Sequence, residues 1–393
     1  MAAVSQSIGG QSAGYVRPRY ARIAVLSLAH AVNDSYSQYL QILLPLLAVS
    51  IGFDLGRAGV IVTIYTITSA VIQPALGHIA DRYATRMISV AGMCAMATGA
   101  SLMGVAPNLV VLGLFTALAG LGTAAYHPQA SAMIPALAGS RKASLMSIYL
   151  VAGSVGFALG PKIVGAVAHS SLHATPILVV PGLLMAGVLA IFAPRDWGAG
   201  AAHAADRPSL RAVLAEHRRV LALLLIVILL RSTAQQSFST FLPFLYKRHG
   251  HGTGYAADVL TVFGLVGALG SLAGGFLAER MGQKRVIVAT LILAGPLLVV
   301  LPKLGGTAVF VVAGLAGALL LSAWNVLAVK GQLLLSKNLG MASGLMLGFS
   351  IGSGGLAIIP LGAIADRAGI VPVLVACALL APLAGLLAFG LPE

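Results

Sequence analysis

Apolar residues fall into long runs along this chain, each separated from the next by a short polar break. A membrane-crossing helix needs about 20 such residues. By that measure the first six spans lie at roughly 22–50, 58–78, 87–105, 108–135, 143–168 and 175–194. A second six lie at roughly 219–246, 256–279, 285–302, 308–336, 341–364 and 371–390. Run length decides for helices, because barrel strands would be about 10 residues long with alternating polarity. The expected class is all-α integral membrane, with twelve transmembrane helices in two six-helix, pseudo-symmetric halves. The stretch 195–218 is the one long hydrophilic connection and ends on the basic piece SLRAVLAEHRR, suited to an anionic inner leaflet. The expected organisation is a cytoplasmic tail over 1–21, an N-terminal half over 22–194, a cytoplasmic linker over 195–218 and a C-terminal half over 219–390.

Composition sharpens this reading. Of the 393 residues, 59% are hydrophobic and 9% charged. Soluble proteins carry about 25% charged residues, so too few remain here to cover a water-exposed surface. Disorder is excluded on the same grounds. The net charge of +14 first suggests nucleic acid, but position explains it better. With the N-terminus inside, sixteen of the 24 Lys and Arg residues fall in inner segments, five in outer loops and three within spans. That bias predicts both termini in the cytoplasm and needs no nucleic acid. Cys94 and Cys377 sit inside apolar runs and read as reduced packing residues. Residues 1–16 lack the apolar core of a signal peptide. No nucleophile–base set, metal-ligand cluster or ATP-binding loop is visible, so neither an enzyme nor a cofactor is expected.

The two halves repeat. At an offset of 198 residues, LLPLL around Pro45 falls on FLPFL around Pro243. At the same offset GHIADRYATR from Gly77 falls on GFLAERMGQK from Gly275, and Tyr126-His127 falls on Trp324-Asn325. Transporters built from such repeats bind substrate near the bilayer midplane, where the halves meet.

Span 1 carries the densest polar chemistry: His30, Asn33, Asp34, Ser37, Gln38 and Gln41 in one apolar helix. An ionisable residue in a span costs about 2.5–3.5 kcal/mol on insertion scales. His30 and Asp34 are four residues apart and share a face, so they form either a proton carrier or a structural polar pair. Arg231 in span 7 corresponds to Asn33 and is placed either to hold an anionic substrate or to neutralise Asp34. Gln235 lies one turn beyond it. In span 4, His127 precedes Pro128, with Tyr126 and Gln129 alongside, at a helix that Pro should kink. Lys162 and Lys330 complete the cations within spans, and Trp324 and Asn325 lie deeper than Lys330. Three such cations against one acid, Asp34, suit an anionic or zwitterionic substrate.

Motifs then point to a family. GHIADRYATR resembles the signature loop between spans 2 and 3 of the major facilitator superfamily, in which Asp81, Arg82 and Arg86 match and Ala84 replaces a Gly. Glu279 and Arg280 repeat it in the second half. GSVGFALGPKIVG in span 5 resembles a motif of exporting members, although the same glycines would serve tight helix packing in any case. HAVND, QPALGHIADR and GLGTAAYHP together resemble the fosmidomycin-resistance branch over roughly residues 22–390. The resemblance implies a secondary transporter that exports small drugs by proton antiport. Carried onto this chain it makes Asp34, His30 and His127 the proton-coupling candidates, and Asp81, Arg82, Arg86, Glu279 and Arg280 the gate. Substrate contacts are expected from Arg231, Asn33, Tyr126, Gln129, Gln235, Trp324, Asn325, Lys162 and Lys330. Superfamily antiporters often carry an Arg four residues before the first Gly of a span-4 G-x-G; here that position is Thr116, so coupling must rest on other groups. The expected setting is a monomer in a bacterial inner membrane, with a small molecule, protons and lipid as partners. An importing symporter and a non-transporting sensor are the alternatives.

Overall fold

The computed structural model describes residues 18–76, 79, 85–194, 217–335, 346, 348, 349 and 352–393. Among them every element is a helix. Ten helices are long and apolar enough to cross a membrane among the described residues. They are spans 2 to 10 and span 12, at Leu55–Leu76, Arg86–Val105, Leu109–Leu137, Ser144–Ser170, Leu172–Phe192, Arg218–Arg248, Thr253–Met281, Gln283–Lys303, Ala308–Leu334 and Ile370–Ala388. Span 11 is described chiefly by Ile358–Ala368. Span 1 is helical but divided into Tyr20–Tyr36 and Tyr39–Leu47, followed by a π-helical turn at Ala48–Gly52. With these two, the molecule is the all-α, twelve-span bundle expected from the apolar runs.

Local chemistry sets the ends of several spans. Asp54 caps span 2 by accepting from the Arg57 amide at 2.8 Å, and Asn108 caps span 4 through the Val111 amide at 3.0 Å. Such caps satisfy backbone donors that the first helical turn leaves free. Gly282 alone joins span 8 to span 9 at φ +91°, a conformation that residues with a Cβ rarely adopt.

Spans 1 and 5 approach so closely that glycine is required along their contact. A Cβ on Gly153 would enter the His30 ring, one on Gly156 would meet the Ala31 carbonyl, and one on Gly160 would meet the Ser35 carbonyl. Gly160 thus sits beside the break in span 1. There the Ser37 and Gln38 amides reach back three residues, to Asp34 O at 3.2 Å and Ser35 O at 3.4 Å. The small-residue motif in span 5 therefore has a packing role that does not depend on transport direction.

The two sets of six spans touch at the face remote from the chain ends. The Asp366 carboxylate at the end of span 11 accepts from the Leu55 amide at 3.0 Å and the Gly56 amide at 2.9 Å, at the start of span 2. It lies where a helix N-terminus favours an anion. Gly59 packs on the backbone of Ile358 and Ile359, and Gly362 on that of Leu55. Lys162 of span 5 pairs with Asp258 of span 8.

Gly156→Ala should lower stability by about 1–3 kcal/mol, the usual cost of over-packing. Gly187→Ala, with nothing within 4 Å of its would-be Cβ, should be close to neutral. Thermal unfolding in detergent checks the contrast.

Candidate transport site

Asp34 stands between two imidazoles. His30 Nε2 lies 3.2 Å from Asp34 Oδ2, and His127 Nε2 lies 3.0 Å from Asp34 Oδ1. The His30 contact is the expected one across a single turn of span 1. His127 is brought in by span 4, and it crosses between helices. Each ring is oriented from behind. His30 Nδ1 lies 2.8 Å from the Tyr149 carbonyl of span 5, and the Tyr149 ring stacks on His30 at 4.1 Å. His127 Nδ1 lies 2.9 Å from the Thr123 carbonyl and 3.2 Å from the Thr123 hydroxyl, one turn back on span 4. Asn33, fully buried, donates to Asp34 Oδ1 and to Thr123 Oγ1, each at 3.2 Å. The donor atoms of His30, Asp34 and His127 lie within 4.8 Å of one another, a set a metal ion could also use. In the contacts formed here, each Nε2 faces its own carboxylate oxygen.

Arg231 forms a second centre. It is buried in span 7, where Nε and one terminal nitrogen donate to the Leu320 carbonyl of span 10 at 3.1 and 2.9 Å, and the latter also reaches Gln235. Among the described residues no carboxylate lies within ion-pair distance of Arg231. The counter-ion role considered for it is therefore not played here: Asp34 is held by imidazoles. Trp324 lies one turn from Leu320 on span 10, half-buried, with its buried indole nitrogen lacking an acceptor among the described residues.

The other candidates are dispersed. Tyr126 and Gln129 are completely buried; the Tyr126 hydroxyl reaches the Leu26 carbonyl at 3.4 Å. Asn325 is exposed on another face of span 10. Lys330 is buried near the end of span 10, in the field of Glu393 and Lys284. Lys162 is exposed and paired with Asp258, which corrects the count of one acid within the spans. Asp258 lies inside the run 256–279 and was legible there as a partner for Lys162. Tyr149 and Thr123 act through backbone carbonyls, which no sequence pattern announces. Of the expected gate, Asp81 and Arg82 lie outside the described residues. Arg86 binds the Ile191 and Ala193 carbonyls at 3.3 and 2.7 Å, closing the end of span 6. Arg280 lies over the Phe276 ring of its own helix at 4.0 Å, and Glu279 is exposed. Thr116, at the position of the antiporter Arg, is fully buried.

The sequence profile of the Major Facilitator Superfamily matches residues 26–332. The chain belongs to this family. It is 30% identical over 397 residues to the Fosmidomycin resistance protein of Escherichia coli (strain K12), a match covering 99% of this chain and 97% of the relative. It is 29% identical over 384 residues to the MFS-type transporter YfnC of Bacillus subtilis (strain 168), covering 95% and 93%. Its fold resembles the crystal structure of a bacterial homologue of the human lysosomal transporter Spinster, in an inward-facing, unoccupied conformation. There the TM-score is 0.81 at 15% identity, over 94% of this chain and 96% of the other. The molecule is thus a multi-pass membrane transporter of this superfamily, and transporters of this kind are not enzymes.

Gly153→Ala should push a methyl group into the His30 ring and cost about 1–3 kcal/mol. In a His30→Ala background the same change should cost far less. A double-mutant cycle on thermal unfolding reads the coupling between the two positions.

Proposed function

We propose that this superfamily member is a proton-coupled antiporter that exports small anionic or amphiphilic compounds from the bacterial cytoplasm by alternating access. The observation that carries this reading is the separation of two buried charge centres: Asp34 shared between His30 and His127, and Arg231 with no carboxylate partner among the described residues. A buried guanidinium without a counter-ion invites an anion, and its planar donors suit carboxylate or phosphonate oxygens. Gln235 and the free indole N–H of Trp324 stand within a turn of its anchor and add neutral donors. Export is supported by the relative whose name is that of a drug-resistance protein.

The cation bias of the inner segments puts both termini in the cytoplasm. On that orientation the contacts of Asp366, Gly59 and the Lys162–Asp258 pair lie at the outer face, which supports an inward-facing state. From it, substrate enters from the cytoplasm and engages Arg231 as Asp34 gives up its proton. Reopening outward requires Asp366 to leave the start of span 2. The loop residues Asp81 and Arg82, with Arg86, Glu279 and Arg280, then serve the inner closure. The linker 195–218 joins the halves in sequence, with the tail 1–21 also on the cytoplasmic side, and the protein works as a monomer without cofactor.

The test uses inside-out proteoliposomes with an acidic lumen and fosmidomycin in the bath. Wild-type protein should accumulate the phosphonate, and Asp34→Asn should abolish accumulation. Arg231→Ala should raise the half-saturating concentration by about 10-fold or more, the scale of a lost charged hydrogen bond. Accumulation driven by the opposite gradient would establish symport instead. Equal accumulation by Asp34→Asn would remove Asp34 from the coupling.

A further inference from the structure

We infer that the His30–Asp34–His127 network holds two transported protons, one at each carboxylate oxygen, and that the proton shared with His127 is the one that joins span 4 to span 1. The inference rests on the proton-coupled reading above and adds its stoichiometry.

The argument begins behind the rings. A backbone carbonyl can only accept a hydrogen bond. His30 Nδ1 faces the Tyr149 carbonyl at 2.8 Å, and His127 Nδ1 faces the Thr123 carbonyl at 2.9 Å. Both Nδ1 atoms therefore carry hydrogen, and each neutral ring presents a bare Nε2. Those Nε2 atoms face different oxygens of one carboxylate, at 3.2 and 3.0 Å. Without a mobile proton, each contact sets an acceptor against an acceptor. One proton satisfies one contact, and two satisfy both. The count is the same whether a proton sits on nitrogen or on oxygen. The network then passes from net charge −1 through 0 to +1 as it loads.

The surroundings supply no rival carrier. Tyr65 of span 2, Tyr126 of span 4 and Tyr149 of span 5 stand within the field of Asp34, and phenols stay neutral in the working range. Asn33 donates to Asp34 Oδ1 in every protonation state, so it steadies the carboxylate without exchanging a proton. Arg231 is committed to Leu320 and Gln235.

The two protons are not equivalent. Side-chain exposure falls from 29% at His127 to 17% at Asp34 and 6% at His30, so protons enter and leave through His127. The His30 contact lies within one helix and survives movement of span 1. The His127 contact spans two helices, and it ends at a residue whose carbonyl accepts from Ser37 at the break in span 1. Releasing that proton removes one of the contacts between spans 1 and 4 beside the break in span 1, leaving those of Asn33 with Thr123 and of Tyr126 with Leu26.

The experiment is nitrogen NMR on protein labelled with ¹⁵N-histidine, in nanodiscs with EDTA present. The His30 and His127 signals are assigned by their loss in His30→Gln and His127→Gln. At acidic pH both rings should carry hydrogen-bonded or shared protons at Nε2 as well as Nδ1. Raising the pH should remove the Nε2 protons. In Asp34→Asn both rings should be the neutral Nδ1–H tautomer at pH 7. A bare Nε2 on either ring throughout the range in which the other is loaded would overturn the inference. So would an Nε2–H tautomer on a neutral ring. These spectra need no substrate, so they decide the proton count even where antiport fails. In the proteoliposome assay, fosmidomycin exchange should consume two protons in the wild type and one in His127→Gln. A ratio of one in the wild type, or of two in His127→Gln, would also overturn it.

Discussion

A carboxylate buried among apolar helices has to be met by donors, and much of the N-terminal half is arranged to meet Asp34. Removing one partner from a buried charge costs about 3–5 kcal/mol. Asp34 is met on three sides, by His30, His127 and Asn33. Those groups reach it only because spans 1, 4 and 5 sit at particular distances. Gly153 leaves room for the His30 ring, and Gly156 and Gly160 let span 5 lie against the backbone of span 1. The Tyr149 carbonyl can then hold the ring from behind. The small residues of span 5 and the charge of span 1 are thus one device. Replace the glycines and the imidazole loses its place; replace Asp34 and the imidazoles lose their reason for facing one another.

The break in span 1 belongs to the same arrangement. Ser37 and Gln38 close tighter three-residue contacts where regular helix bonding stops, and Gly160 admits the displaced Ser35 carbonyl. A straight helix would carry its polar stripe past the other spans at a fixed angle. A divided one can turn its lower part, with His30 and Asp34, independently of the part that packs beyond Tyr39. On the proton-coupled reading, protonation of Asp34 acts beside the break in span 1.

The run lengths, the cation bias and the paired loops made the fold readable before any coordinate. The pairing of His30 with Asp34 was readable too, because a four-residue spacing on a helix is a distance. What could not be read was anything that depends on how helices rotate against each other. The His127 contact, the Tyr149 carbonyl and the Thr123 carbonyl all belong to that class. The same limit explains Tyr126 and Gln129. Their neighbour His127 meets Asp34, while Tyr126 and Gln129 are completely buried, Tyr126 against Leu26 of span 1, so adjacency in sequence gave them packing positions. Asp258 was legible inside its run but easy to count with a loop, because it sits near the start, where the boundary between loop and span is a matter of a few residues.

The arrangement also separates two jobs that a direct Asp34–Arg231 ion pair would merge. With such a pair, substrate binding at Arg231 would have to break the bond that holds Asp34, and the cost of each event would fall on the other. Here the carboxylate is neutralised within the N-terminal half and the guanidinium is anchored within the C-terminal half, by Leu320 and Gln235. On the proposed reading the Asp34 network can gain or lose protons and Arg231, itself always charged, can take up an anion, without either dismantling the other. Coupling must then pass through the packing between the halves, where Asp366 meets span 2 and Lys162 meets Asp258. Those polar contacts sit beside close backbone packing, of Gly59 on Ile358 and Ile359, of Gly362 on Leu55 and of Gly264 on Ala158. On the antiport reading proposed above, exchange without leak requires two sites that sense each other through the conformation they share, and not through a bond.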